Sequence, residues 1–130
     1  MFIGWGSQSF VCEFSYDGEL LLNGRFQPGC ESYRAFRFPW SGHPTEDPAV
    51  ALEQLSDEKV KLYASWNGAT EVESWEVLSG TRPGRLKPLG SVPRNGFETP
   101  ISVRTSEPYV AVQAKDRSGQ ILGTCAAVKL

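Results

Sequence analysis

The sequence predicts an all-β protein, and three observations predict it. Val60, Leu62, Ala64 and Trp66 alternate with Lys59, Lys61, Tyr63 and Ser65, the period of a strand with one buried and one wet face. Asp17-Gly18, Asn67-Gly68 and Asn95-Gly96 are turn pairs, because each places a residue tolerant of positive φ between β-prone runs. The later chain reads as about seven short strands separated by frequent turns, the pattern of an immunoglobulin or fibronectin type III-like β-sandwich.

Taken in order, Phe2 to Gly6 is strand-like directly after Met1, as expected of a unit truncated at its start. Phe10, Cys12 and Phe14 alternate with Val11, Glu13 and Ser15, and Tyr16 to Glu19 turns the chain into a returning strand, Leu20 to Phe26. Pro28-Gly29 ends it, and Ser32 to Trp40 alternates as a fourth strand, with Tyr33, Ala35, Arg37 and Pro39 opposing Arg34, Phe36, Phe38 and Trp40. Residues 1–40 are therefore expected to form one four-stranded antiparallel propeller-type blade, residues 41–48 a Gly/Pro-rich linker, and residues 49–130 the sandwich.

Within the sandwich Ala49 to Leu55 is read as an edge strand, with a one-turn helix as the alternative, since its composition also suits a helix. Val72 to Leu78 returns after the Asn67-Gly68 turn, and Trp66 and Trp75 are assigned to the core on their apolar faces. Pro88 marks Leu86 to Pro93 as an edge strand. Phe97 to Val103, Tyr109 to Lys115 and Gln120 to Val128 complete the set, with Val110, Val112 and Ala114 facing inward.

Composition narrows the functions. Thirteen basic against fifteen acidic residues give a net charge of −2, so no electrostatic footprint for nucleic acid or an anionic membrane exists. No apolar run reaches the roughly 20 residues that span a bilayer. Cys12, Cys30 and Cys125 make no CxxC pair, and with one histidine the ligands for a metal are too few. A Cys12–Cys30 disulfide is allowed if their strands are neighbours. No cofactor is implied.

The runs FIGWGSQSFVCEFSYDGELLLNGRFQPGCESYRAFRFPW, SWNGATEVESWEVLSG, GFETPI and YVAVQAKDRSGQILGT together resemble the C-terminal part of the arylsulfotransferase-like proteins of fungi and actinobacteria. The resemblance implies a propeller whose last blade is followed by a fibronectin-like sandwich, in a family commonly secreted. It also implies sulfuryl transfer from a phenolic ester to a phenol through a sulfated histidine, without a nucleotide donor. A propeller needs several blades to form its funnel and this chain holds one, so the expectation is a non-catalytic piece whose partners are the remaining blades of a longer parent. The alternatives are a binding module for glycan or protein, and a sulfotransferase active only when the missing blades are supplied.

The residues that tempt a catalytic reading are few, and none is assigned a catalytic role. His43 is the only imidazole, and Gly42 and Pro44 beside it supply no orienting group. In a complete propeller Trp5 and Arg34 are the substrate-facing candidates, Trp5 by stacking and Arg34 by reaching an anion; the competing readings are core packing for Trp5 and cover of neighbouring aromatics for the Arg34 stem. Glu71, Glu73 and Glu76 show no spacing that places two carboxylates across a reacting bond.

Overall fold

A computed structural model describes residues 1–130 and is all-β, with eleven strands. No helix is long and apolar enough to cross a membrane. The chain divides into two compact units, Met1–Trp40 and Ser41–Leu130.

In the first unit β1 (Phe2–Gly4), β2 (Phe10–Phe14) and β3 (Leu20–Arg25) form an antiparallel sheet in the order β1-β2-β3. The turn between β2 and β3 forms because Ser15 Oγ accepts from Glu19 N at 2.9 Å and donates to Asp17 Oδ1 at 2.6 Å, while Gly18 takes φ 90°. Cys12 is the only buried residue of this unit. Three strands that bury one side chain have little to hold them, since burial of a face is what stabilises so small a sheet.

The expected fourth strand does not form. Ser32–Trp40 has the alternation of a strand, but it lies across a sheet face instead of along an edge. A Cβ on Gly4 would stand 3.0 Å from that of Ala35, and Arg37 forms an ion pair with Glu13, which belongs to the same face as Gly4 by the β1–β2 register. Alternation fixes which side chains share a face; it does not supply a ladder partner. The Cys12–Cys30 bridge is also not formed. Cys12 sits buried opposite Ile3 and Asn23, whereas Cys30 is exposed in the turn beyond β3, and all three cysteines are free thiols.

The second unit has β4 (Ala49–Ser56), β5 (Lys59–Ser65), β6 (Ser74–Gly80), β7 (Leu86–Pro93), β8 (Glu98–Arg104), β9 (Tyr109–Lys115), β10 (Ile121–Thr124) and β11 (Val128–Lys129). They make two antiparallel sheets, β4-β5-β8 and β10-β9-β6-β7, with β11 also paired to β9. Val60, Leu62 and Ala64 of β5 and Ile101 of β8 share one apolar cluster with Trp75 and Val77 of β6 and Val110, Val112 and Ala114 of β9. Alternate residues of β5 enter it, as the period requires, while β6 adds Leu78 and β9 adds Ala111 out of phase. Ala49–Ser56 is a strand rather than a helical turn, paired from Ala49↔Ser65 through Ser56↔Lys59, with Val50 and Leu52 packed on the cluster.

Pro88 sits on edge strand β7, where its missing N–H removes nothing from an inner ladder. The register slips there, Val77 facing Gly90 and Leu78 facing Pro88, which leaves Leu89 as the extra, exposed residue of a bulge. The last expected strand is interrupted. The chain leaves the ladder after Thr124, Cys125 turns inward, and its sulfur accepts the Val112 N–H at 3.1 Å before β11 begins. Residues 41–48 are not a free linker but belong to the second unit: Gly42 N donates to Thr70 Oγ1 at 2.8 Å, Trp66 Nε1 donates to the Glu46 carbonyl at 2.7 Å, and Pro48 is buried.

Candidate functional site

Two hollows, one in each unit, include the sequence candidates Trp5 and His43. In the first unit Met1, Ile3, Trp5, Phe14, Ser15, Tyr16 and Gly18 line an open apolar hollow of about 640 Å³. Trp5 is 46% exposed there and tilts against Phe10, ring centroids 5.9 Å apart, with the Arg25 guanidinium 5.9 Å from the Phe10 centroid. No ionisable side chain lines the hollow other than the Tyr16 phenol and the Met1 amine, so it offers apolar surface and no general base.

Arg34 does not join Trp5 in this hollow. Its guanidinium stands 5.1 Å from the Tyr33 ring centroid, both side chains being exposed, and it faces no second cation. Arg37, on the opposite face of the same segment, is neutralised by Glu13. Within this unit Trp5 and Arg34 do not line one hollow.

In the second unit His43 lies at a cleft of about 240 Å³ walled by residues 42–47, Trp66, Ala69, Glu71, Leu122 and Gly123. Gly123 is required here, because a Cβ would stand 2.7 Å from the Trp66 ring. His43 Nε2 is 3.4 Å from Ser41 Oγ, Ser41 Oγ donates to Glu71 Oε1 at 3.0 Å, and Thr70 Oγ1 donates to the same oxygen at 3.1 Å. The order of this chain decides its chemistry. A hydroxyl has one proton; given to Glu71, it is not directed at the imidazole, so His43 does not stand to Ser41 as a general base.

The same cleft lacks any lysine or arginine and is walled by the carboxylates of Glu46, Asp47 and Glu71. Three carboxylates repel a sulfonate or phosphoryl group where transfer through histidine needs cations to stabilise it. Glu76 lies outside this cleft, paired with Lys115 Nζ at 2.8 Å. No group of three His, Cys, Asp or Glu side chains is placed to hold a metal ion.

Sequence reasoning missed Ser41 and Glu71 as neighbours of His43. Thirty positions separate Ser41 from Glu71, and only the fold joins them. The tryptophans divide: Trp75 is 1% exposed in the core, while Trp66 is half-buried, its edge at the cleft and its indole N–H spent on Glu46. No family model, curated protein or solved structure matches this chain.

Proposed function

We propose that this chain is a non-catalytic structural piece: a propeller-type sheet that stacks beside sheets of its own kind, followed by a fibronectin-like sandwich, as in the tail of an arylsulfotransferase-like protein. One observation carries the reading. Eleven of the fifteen large exposed apolar side chains lie in residues 1–40, where Cys12 alone is buried. So much uncovered apolar surface on a small unit, Leu20, Leu21 and Leu22 of its sheet included, calls for neighbours.

The strand order of the second unit supports the sandwich. Naming its first seven strands A, B, C, C′, E, F and G places A-B-E in one sheet and G-F-C-C′ in the other, with a buried tryptophan on strand C. The fourth strand pairs with C and not with E, the arrangement of a fibronectin-type rather than a constant-type immunoglobulin sandwich. The glycan-platform alternative is weakened because Trp75 is sealed in the core and Trp66 is packed on Gly123 with its indole N–H bonded to Glu46.

The chain is to be mixed with an arylsulfotransferase-like propeller lacking its last blade and sandwich, and sulfuryl transfer from a chromogenic phenyl sulfate followed. The chain alone is expected to be inactive, and the mixture active. Activity of the chain alone that His43→Ala abolishes would overturn the reading, as would failure of the two pieces to bind.

A further inference from the structure

We propose that Ser32–Trp40 is an unpaired β-strand that adds to the outer edge of β3 in a second copy of this chain, completing there the four-stranded sheet its own copy lacks. Between Glu31 and Trp40 no backbone N–H or C=O group pairs with another backbone group, and the one bond to this backbone is from Ser32 Oγ to the Arg34 carbonyl at 3.1 Å. The segment nonetheless keeps strand alternation. Ala35 and Arg37 face inward on Gly4 and Glu13, whereas Phe36 and Phe38 share the outward face with ring centroids 6.0 Å apart, 68% and 75% exposed. A strand-like stretch with a free backbone and an apolar outer face is the donor half of a β-augmentation.

Pro39 selects the pairing edge. In a strand the N–H and C=O groups of alternate residues point to opposite edges, so Tyr33, Ala35, Arg37 and Pro39 address one edge and Arg34, Phe36, Phe38 and Trp40 the other. The first edge is missing a donor at Pro39; the second has all four. The acceptor is on the same unit. β3 pairs only with β2, its outer edge is free over six residues, and Leu20, Leu21 and Leu22 stand exposed along it. The other free edge, on β1, has only three residues. Donor and acceptor on one chain make the contact heterologous, so it is satisfied by reciprocal exchange in a dimer or by an open row of copies. This inference uses the unpaired backbone alone and does not need the family reading.

The test is sedimentation of the intact chain over a range of concentrations, with amide exchange at the dilute and concentrated ends. Weight-average mass is expected to rise with concentration, and the amides of Phe36, Phe38 and Trp40 to slow by about tenfold or more as it does. Phe36→Pro, which removes a donor from the pairing edge, and Leu21→Lys, on the acceptor edge, are each expected to leave monomers; Tyr33→Pro, on the other edge, is expected to associate normally. Mixing Phe36→Pro with Leu21→Lys restores one intact donor and one intact acceptor, so heterodimers are expected. Monomer at every concentration, or association undiminished in both single variants, or no rescue on mixing, would overturn the proposal. None of these results touches the stacking reading, which the sulfuryl-transfer experiment described above tests.

Discussion

Trp75 is fully buried, and its indole N–H is spent on Thr99 Oγ1 at 3.2 Å; that hydroxyl also accepts from Asn95 N at 2.9 Å and is itself 2% exposed. Thr99→Val keeps the shape and leaves the buried Trp75 N–H and the part-buried Asn95 N–H without this acceptor, so it is expected to destabilise the second unit by about 1–3 kcal/mol in urea denaturation, with Thr99→Ser largely neutral. Equal stability of Thr99→Val and the parent would show that the hydroxyl contributes nothing. Trp75 itself was legible in the sequence, because alternation placed it with Val77 on one face. Its hydrogen-bond partner, 24 positions away, was not. The thiols separate by the same logic: burial raises the Cys125 pKa, while Cys30 stands in solvent. Native-state alkylation is expected to label Cys30 first and to reach Cys12 and Cys125 only on unfolding; simultaneous labelling of all three would contradict this placement.

At the scale of elements, the turn from β9 to β10 is built on one carboxylate. Asp116 Oδ1 accepts from Ser118 Oγ at 2.7 Å and from the backbone N–H groups of Ser118 and Gln120, each at 2.8 Å. The Ser118 hydroxyl, first, and those amides hold the Asp116 pKa below its ordinary 3.8. A depressed carboxyl adds stability above its unfolded value and loses that contribution as pH falls through the folded one. A carboxyl NMR titration of Asp116 is therefore expected to have its midpoint below 3.8, with turn amides losing protection in the same range; a midpoint at or above it would contradict the bonding. The strands themselves were unequally legible. Lys59–Ser65 and Tyr109–Lys115 announce themselves by alternation, and both sit inside sheets with a partner on each side. Ser32–Trp40 alternates as well but has no partner, and Gln120–Val128 breaks where Cys125 turns inward. Period reports a face; pairing depends on an edge that the sequence does not disclose.

Across the whole molecule the contrast is between a unit with a core and one without. The second unit closes two sheets over one apolar cluster, with residues 41–48 pinned to it, while the first buries only Cys12. The boundary after Trp40 lies where the composition turns to Gly, Pro and charge, yet that stretch is fastened by Trp66 to Glu46 and Thr70 to Gly42, bonds that composition cannot reveal. The site was least legible of all, since His43, Ser41 and Glu71 meet only through the fold, in an order that withholds the serine proton from the imidazole. Amide hydrogen exchange of the intact chain at high dilution, where copies are separate, tests the central contrast most directly. Strands β5, β6 and β9 are expected to exchange only through global unfolding, and β1, β2 and β3 at least about a hundredfold faster, since their sheet buries only Cys12. Equal protection in the two sets of strands would mean that the first unit stands on its own, and would contradict the account.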